Sequence, residues 1–413
     1  MSLRSRFSVS SVFQSSASCQ QKVRKTRQVK FLMESLEDRA VPAVITWDGG
    51  AGSNHFWDKA NWSTDTVPGK NDDVVVPAFS GNARLVIDGT CELRSIQTKA
   101  PLQLTTTTND SYRCRLILDG GNSLIENGIY LDTANLKDLR IQASGAGTVV
   151  TVNGNLGNPG AILKEFSASA FAGARMSFTN TVLPTYVNAS FEASDLGSRM
   201  LVQGIKHFDH IGNPTINVTK DAEMTFADLE RMDLVNRTYN GWFHVIVVSE
   251  GGKLNLPALK SLTTGTEHEG SPNLSLYTSD LKNSDGSFQY SKSILNTPEL
   301  QTLKNVSVSV YQMANSCIWN APKLESFSKC SLGYNAPGQL MVLPSVKEIH
   351  ETNFFVHQGF VELPNVGVVD LGQMRWNTTW VSNGKGSALT ITAKEVRGQL
   401  GRGNFFYINA LND

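Results

Sequence analysis

Four six-residue stretches decide how this chain folds: PELQTL at residues 298–303, PKLESF at 322–327, PSVKEI at 344–349 and PNVGVV at 364–369. Together with PALKSL at 257–262 they share one pattern: a proline, any residue, an apolar residue, any two residues, and a second apolar residue. The prolines stand at positions 257, 298, 322, 344 and 364, so the intervals are 41, 24, 22 and 20, and the first is close to two repeats. Self-similarity at this period indicates a solenoid, because one repeat cannot bury its apolar side alone and must stack on its neighbours.

The two apolar positions of each stretch are the predicted core of the solenoid. Weaker versions without proline, at Ile205/Phe208 and Leu229/Met232, extend the series toward the N-terminus. The predicted repeat-core residues are Leu259, Leu262, Leu300, Leu303, Leu324, Phe327, Val346, Ile349, Val366 and Val369.

The secondary structure between these stretches is expected to be β. The segment Val306-Ser307-Val308-Ser309-Val310 alternates apolar and polar residues, which places one side inward and the other toward solvent. Helical periodicity with caps is nearly absent. The sequence therefore predicts an all-β, parallel β-solenoid over residues 81–413, with coils of roughly 20–24 residues.

Two kinds of parallel solenoid fit these repeats. A leucine-rich horseshoe needs Asn or Cys at a fixed offset after the strand leucines, and the candidates Asn305, Cys330 and Asn353 do not keep one. Leu-Pro steps such as Leu343-Pro344 nevertheless resemble receptor-L-type repeats. Uneven repeat lengths favour a right-handed β-helix, and the horseshoe stays open as the alternative.

Residues 44–80 carry the most distinctive local pattern, with three tryptophans, one glycine pair and Asp72-Asp73 before a valine run. This segment resembles the "WxGGxG…W…NW…P…D" module that opens many bacterial β-solenoid and autotransporter-like proteins. The resemblance implies an N-terminal cap, which an open solenoid end requires physically. An aromatic platform for sugar rings is the alternative. The residues of the predicted cap are Trp47, Gly49, Gly50, Trp57, Asn61, Trp62, Pro68 and Asp72.

Residues 1–43 are expected to be a basic, disordered export segment. They contain 8 Lys/Arg and 3 Asp/Glu, and resemble the n-region of an export signal, although its apolar h-region is missing. Residues 33–43 resemble the "LExLExRxxPA" segment of many secreted or surface proteins of planctomycete bacteria, here on Leu36, Glu37, Arg39, Pro42 and Ala43. That resemblance implies export, and hence a secreted, extracellular or cell-surface protein.

The rest of the chain carries 29 basic and 34 acidic side chains. It therefore lacks the basic footprint that nucleic acid requires, and nucleic acid is not expected as a partner. No apolar run approaches the length of about 20 residues that spans a membrane. Cys91, Cys114, Cys317 and Cys330 are consistent with disulfides or with buried thiols on successive coils, and the sequence favours neither.

Candidate catalytic or metal-binding groups are weak. His207 and His210 flank Asp209 but lack a third zinc ligand, and Glu267-His268-Glu269 is expected on a surface loop. Asp48, Asp72 and Asp73 offer oxygen ligands for calcium without a regular calcium loop, so no cofactor or metal is expected.

The sequence favours a secreted or cell-surface structural or adhesive, adhesin-like β-solenoid that presents a strand face to a glycan, matrix or protein. Two alternatives remain. One is a polysaccharide lyase or glycoside hydrolase on a β-helix, and the other is a receptor-L-type horseshoe that binds a protein.

Overall fold

The structure is a computed structural model that describes residues 42–105, 113–131, 138–157, 162–182, 185–209, 215–234, 244–264, 273–277, 285, 289–311, 317–373, 379–383, 387–399 and 407–411. Within these ranges the chain forms strands and one short 3-10 helix, Lys59–Asn61. Leu36, Glu37 and Arg39 of the predicted sorting motif lie outside the described residues. Of that motif, Pro42 and Ala43 are described.

The strands in chain order are β1 Val44–Thr46, β2 Asp73–Val76, β3 Leu85–Asp88, β4 Thr90–Leu93, β5 Ser95–Thr98, β6 Leu102–Thr105, β7 Arg113–Leu118, β8 Asn122–Ile125, β9 Ile129–Leu131, β10 Asp138–Ser144, β11 Val149–Asn153, β12 Ile162–Phe171, β13 Arg175–Thr179, β14 Thr185–Ser194, β15 Arg199–Val202, β16 His207–Asp209 and β17 Thr215–Thr219. They continue as β18 Glu223–Phe226, β19 Arg231–Leu234, β20 His244–Ser249, β21 Lys253–Asn255, β22 Ser261–Thr264, β23 Asn273–Tyr277, β24 Ile294–Asn296, β25 Thr302–Lys304, β26 Ser307–Tyr311, β27 Ile318–Asn320, β28 Ser326–Ser328, β29 Ser331–Val342, β30 Glu348–His350, β31 Asn353–Gln373, β32 Thr379–Asn383, β33 Ala388–Gln399 and β34 Tyr407–Leu411.

The strands stack as parallel ladders, which confirms the predicted parallel β-solenoid; it has about 11 turns. Sheet A contains β1, β2, β5, β8, β11, β13, β15, β18, β21, β24 and β27. Sheet B runs from β4, β7 and β10 through β12, β14, β17, β20, β23, β26, β29, β31 and β32 to β34. Sheet C contains β16, β19, β22, β25, β28, β30, β31 and β33, and a short sheet contains β3, β6 and β9.

Most coils therefore contribute two or three strands. A leucine-rich horseshoe uses one strand in each repeat. Two or three strands in each coil therefore identify this solenoid as a β-helix. The right-handed sense remains a prediction. Among the described residues, no helix has the length and apolar content needed to cross a membrane.

Several coils are longer than the sequence predicts, and coil length is not uniform. Leu332 pairs with Phe354 on the next coil, a spacing like that of the later prolines. Leu274 pairs with Val308, and this coil is about half as long again. On sheet C the same coil joins Leu262 to Leu303, so the interval of 41 between Pro257 and Pro298 is one long coil, and the expectation of about two repeats there is wrong. The extra residues lie in connections, such as the one between the end of β23 and the start of β24. Longer connections are tolerated because only the strands stack, and closing a longer loop costs little extra free energy.

The proline-containing stretches form the corners that lead into sheet C. All ten predicted repeat-core residues are at most 2% exposed. The second apolar residue of each stretch lies in register with its equivalent on the next coil, which produces a continuous inner column. The column is Phe208, Met232, Leu262, Leu303, Phe327, Ile349 and Val369.

Close stacking also explains one glycine. Gly128 has a φ of +77°, and a Cβ atom at this position would lie 2.6 Å from the carbonyl oxygen of Asn155 on the next coil. Both the left-handed backbone and the contact require glycine.

Candidate binding surfaces

Trp47 and Trp62 form the buried centre of the N-terminal module, residues 44–80. They are 6% and 0% exposed, and their rings pack edge to face with centroids 4.9 Å apart. The Trp62 indole Nε1 donates a hydrogen bond of 2.8 Å to the carbonyl of Phe56, whose ring packs against it at 5.0 Å. Burial of both rings with a satisfied indole N–H is the arrangement that a cap needs.

Trp57 differs from the other two tryptophans because it is 43% exposed. Its Nε1 donates a hydrogen bond of 2.7 Å to the carbonyl of Asp88, which holds the ring against the first coils. The aromatic residue that fills the core here is Phe56, which is fully buried and which the sequence reasoning missed. Phe56 and Trp57 lie in the turn that the Asp58 N–H closes on the His55 carbonyl, and this turn buries the Phe56 ring while it leaves Trp57 partly exposed.

The remaining cap residues organise the turns around these rings. Asn61 is fully buried: its Oδ1 accepts a hydrogen bond of 3.1 Å from the Ala51 N–H, and its Nδ2 donates to Ser53 Oγ at 3.0 Å. Gly49 has a φ of +73°, and a Cβ atom on Gly50 would lie 2.4 Å from the Ala60 carbonyl oxygen. Next to buried Pro68, the Gly69 N–H donates to Asp72 Oδ2 at 2.8 Å.

The three aspartates considered for calcium are used within the fold. Asp48 Oδ1 accepts a hydrogen bond of 3.0 Å from the Gly50 N–H. Asp73 accepts hydrogen bonds from Arg94 and Ser95. Burial raises the pKa of Asp73, but these two hydrogen bonds outweigh it and hold the pKa below its ordinary value. No group of three His, Cys, Asp or Glu residues in the described ranges is arranged to hold a metal ion.

The outer surface of sheet A carries a column of residues in register along the solenoid, here called the polar column. Except for Leu201, its members have hydroxyl or amide side chains, and several bond to the next coil: Ser177 Oγ donates to Thr151 Oγ1 at 3.1 Å, and Asn296 Nδ2 donates to Asn255 Oδ1 at 2.7 Å. The polar column is Thr151, Ser177, Leu201, Thr225, Asn255, Asn296 and Asn320.

A shallow cavity of about 340 Å³ lies beside the polar column. Arg175 and Arg199 are register partners on neighbouring strands, and both are exposed. Arg199 Nε lies 3.7 Å from a carboxylate oxygen of Glu223, whereas Arg175 has no ion pair with a described residue. The cavity therefore combines hydroxyl groups, one carboxylate and the side chains of two neighbouring arginines, a set suited to a polyhydroxylated ligand.

The candidate catalytic groups do not assemble into a site that the described residues show. His207 is exposed on β16, and its neighbour Phe208 is buried in the core. His210 and the trio Glu267-His268-Glu269 lie outside the described residues.

The four cysteines of the described ranges are free thiols. Of the two arrangements that the sequence allowed, disulfides and thiols, the structure therefore has thiols. Cys91, Cys114 and Cys330 are buried, and Cys317 is partly exposed. Burial raises the pKa of the Cys114 thiol to about 12 and that of Cys330 to about 11. The pKa of Cys91 is also raised, first by burial and then by the neighbouring Cys114.

We expect native protein at pH 8 to be alkylated by iodoacetamide at Cys317 and not at the three buried thiols, because the thiolate is the reacting form. Peptide mass spectrometry measures this, with unfolded protein as the control. Rapid native labelling of Cys91, Cys114 or Cys330 would contradict the burial.

The raised pKa values of the buried thiols also link stability to pH. Their contribution to the stability of the fold is fully present below the ordinary thiol pKa of 9.0, and it is lost as pH rises from 9 toward 12.

Comparison with models of protein families, with curated proteins and with solved structures finds no match.

Proposed function

We propose that this protein is an exported, non-catalytic β-solenoid that binds glycans along the outer surface of sheet A. The polar column carries the proposal, since it offers a hydroxyl or amide group on six of the seven sheet A strands from β11 to β27. Parallel strands are about 4.8 Å apart, close to the length of one sugar unit. A polysaccharide chain along the solenoid axis therefore meets a new polar side chain with each sugar.

Two further features support this proposal. Many weak contacts on one rigid surface add up to useful affinity, because the column needs no ordering when the ligand binds. The resemblance of residues 33–43 to a sorting segment favours export, which would bring the surface to extracellular glycans. A solvated strand face with no ligand is the competing interpretation.

The test is a glycan array with the full chain, followed by binding curves for any glycan that it retains. We expect Thr225→Arg, which places a long side chain across the polar column, to weaken binding at least about tenfold, or about 1.4 kcal/mol. Thr263→Arg is the matched control, because Thr263 is half-buried on sheet C, away from the polar column. Equal binding by the two variants, or an array without signal, would sink the proposal. Release of reducing ends from a bound polysaccharide would instead favour the enzyme.

A further inference from the structure

A second column lies at the corner between sheets A and C and is here called the corner column. The backbone N–H of each member donates a hydrogen bond of 2.7 to 2.8 Å to the carbonyl of the member before it. The corner column is Lys206, Glu230, Lys260, Gln301, Glu325, Lys347 and Gly367. Lys394 continues it, because the register pairs Val366 with Ala393 and Val368 with Glu395.

Charges of opposite sign pair along this column. Lys260 Nζ lies 3.0 Å from a carboxylate oxygen of Glu230, and Lys347 Nζ lies 2.6 Å from one of Glu325. Gly367 leaves a gap in the column between Lys347 and Lys394, where an acidic side chain would lie between two lysines. Lys394 is exposed and has no ion pair with a described residue.

An open cavity of about 590 Å³ lies over Gly367. Its charged walls are Lys347, Lys394, Glu325 and Glu348, with Pro344 and Val368 as apolar surface. Asn365 Nδ2 donates to the Pro344 carbonyl at 2.9 Å, so its Oδ1 remains to accept from a ligand hydroxyl. The Glu348 carboxylate lies 3.4 Å from His350 Nε2.

We propose that the cavity over Gly367 binds an anionic substituent of a glycan, a carboxylate or a sulfate, in the place of the absent acidic side chain. Lys394 is its main cationic partner, and Lys347 is shared with Glu325. Pro344 and Val368 give the apolar side of a sugar ring a surface to lie on. This inference rests on the proposed function, and adds to it a second subsite and the charge of the ligand.

The experiment compares binding of oligogalacturonate, a sulfated galactan oligosaccharide and a neutral galactan of the same length to the full chain. Gly367→Glu supplies the missing carboxylate within the chain, and we expect it to weaken binding of the anionic ligands at least about tenfold. Gln301→Glu is the matched control, since it adds the same charge to the same column away from the cavity. We expect Gln301→Glu to bind like the wild type.

Lys394→Gln provides a second readout that does not depend on filling the cavity. A Cβ atom at Gly367 would lie 3.2 Å from the Lys347 carbonyl oxygen, so circular dichroism must first show that Gly367→Glu folds. If it does not, Lys394→Gln decides, with an expected loss of about two- to fivefold for an exposed ion pair.

The outcomes separate this site from the proposed function. Stronger binding of one anionic oligosaccharide identifies the substituent. If neutral galactan binds as tightly as the anionic ligands, or if Gly367→Glu and Gln301→Glu bind alike, the site is overturned while glycan binding on sheet A stands. If Thr225→Arg abolishes binding and Lys394→Gln does not change it, the same conclusion follows.

Discussion

Replacing Trp62 with alanine is expected to reduce the free energy of opening the N-terminal module by about 3–5 kcal/mol, the usual cost of removing a large buried aromatic side chain. Trp62 is fully buried, contacts the rings of Trp47 and Phe56, and donates its indole N–H to a backbone carbonyl. The substitution removes this packing and leaves the Phe56 carbonyl without that donor. Hydrogen exchange of the amides in β1 and β2 measures the opening directly.

Trp57→Ala is the matched control in the same module. Because Trp57 is 43% exposed, we expect its removal to cost less than about 1 kcal/mol, mainly through the lost hydrogen bond to the Asp88 carbonyl. This difference separates a cap from a sugar-binding platform. If Trp57→Ala alone abolished glycan binding while both variants left hydrogen exchange unchanged, the module would be a ligand platform.

The inner core of the solenoid could be predicted from the sequence because it depends on local order. A proline sets a corner, and the apolar residues two and five positions later must then point inward. The residues from Leu303 to Val369 stack in the register that this spacing implies. Trp47 and Trp62 could be predicted in a different way, from the resemblance of residues 44–80 to a cap module, and both rings are buried.

The outer surfaces could not be predicted in the same way. Which polar residues share a column depends on strand register across connections of variable length, and the proline interval of 41 does not reveal that Leu262 pairs directly with Leu303 on one long coil. Gly367 illustrates the limit. In the sequence it is one glycine of 34. That it lies between Lys347 and Lys394 on neighbouring coils is known only from the strand register of the structure.

The cysteines show another limit. Four of the five cysteines lie after residue 43, and an even number there, in a chain with features of export, is consistent with disulfides and with thiols. The choice depends on whether two Cβ atoms approach closely enough, which is a matter of three-dimensional geometry. Cys114 instead donates its S–H to the Gly89 carbonyl at 3.0 Å on the neighbouring coil.

Phe191→Ala is expected to lower the free energy of unfolding by about 3–5 kcal/mol. The Phe191 ring is fully buried and lies edge to face with those of Phe166, Phe178, Phe208 and Phe226, at centroid distances of 5.1 to 6.4 Å. These partners come from all three sheets, so the substitution opens a cavity where the sheets meet. Phe360→Ala is the matched control: Phe360 is 37% exposed, and its loss should cost about 1 kcal/mol or less.

The position of the damage is as informative as its size. In a solenoid each coil contacts only its neighbours, so stability is nearly a sum of coil and interface contributions. Phe191→Ala should therefore reduce hydrogen-exchange protection in β13, β16 and β18, on sheets A and C, while β28 and β30 keep theirs. An even loss along the whole chain would mean that the solenoid unfolds as one cooperative unit. A loss confined to sheet B would mean that the ring cluster does not join the three sheets.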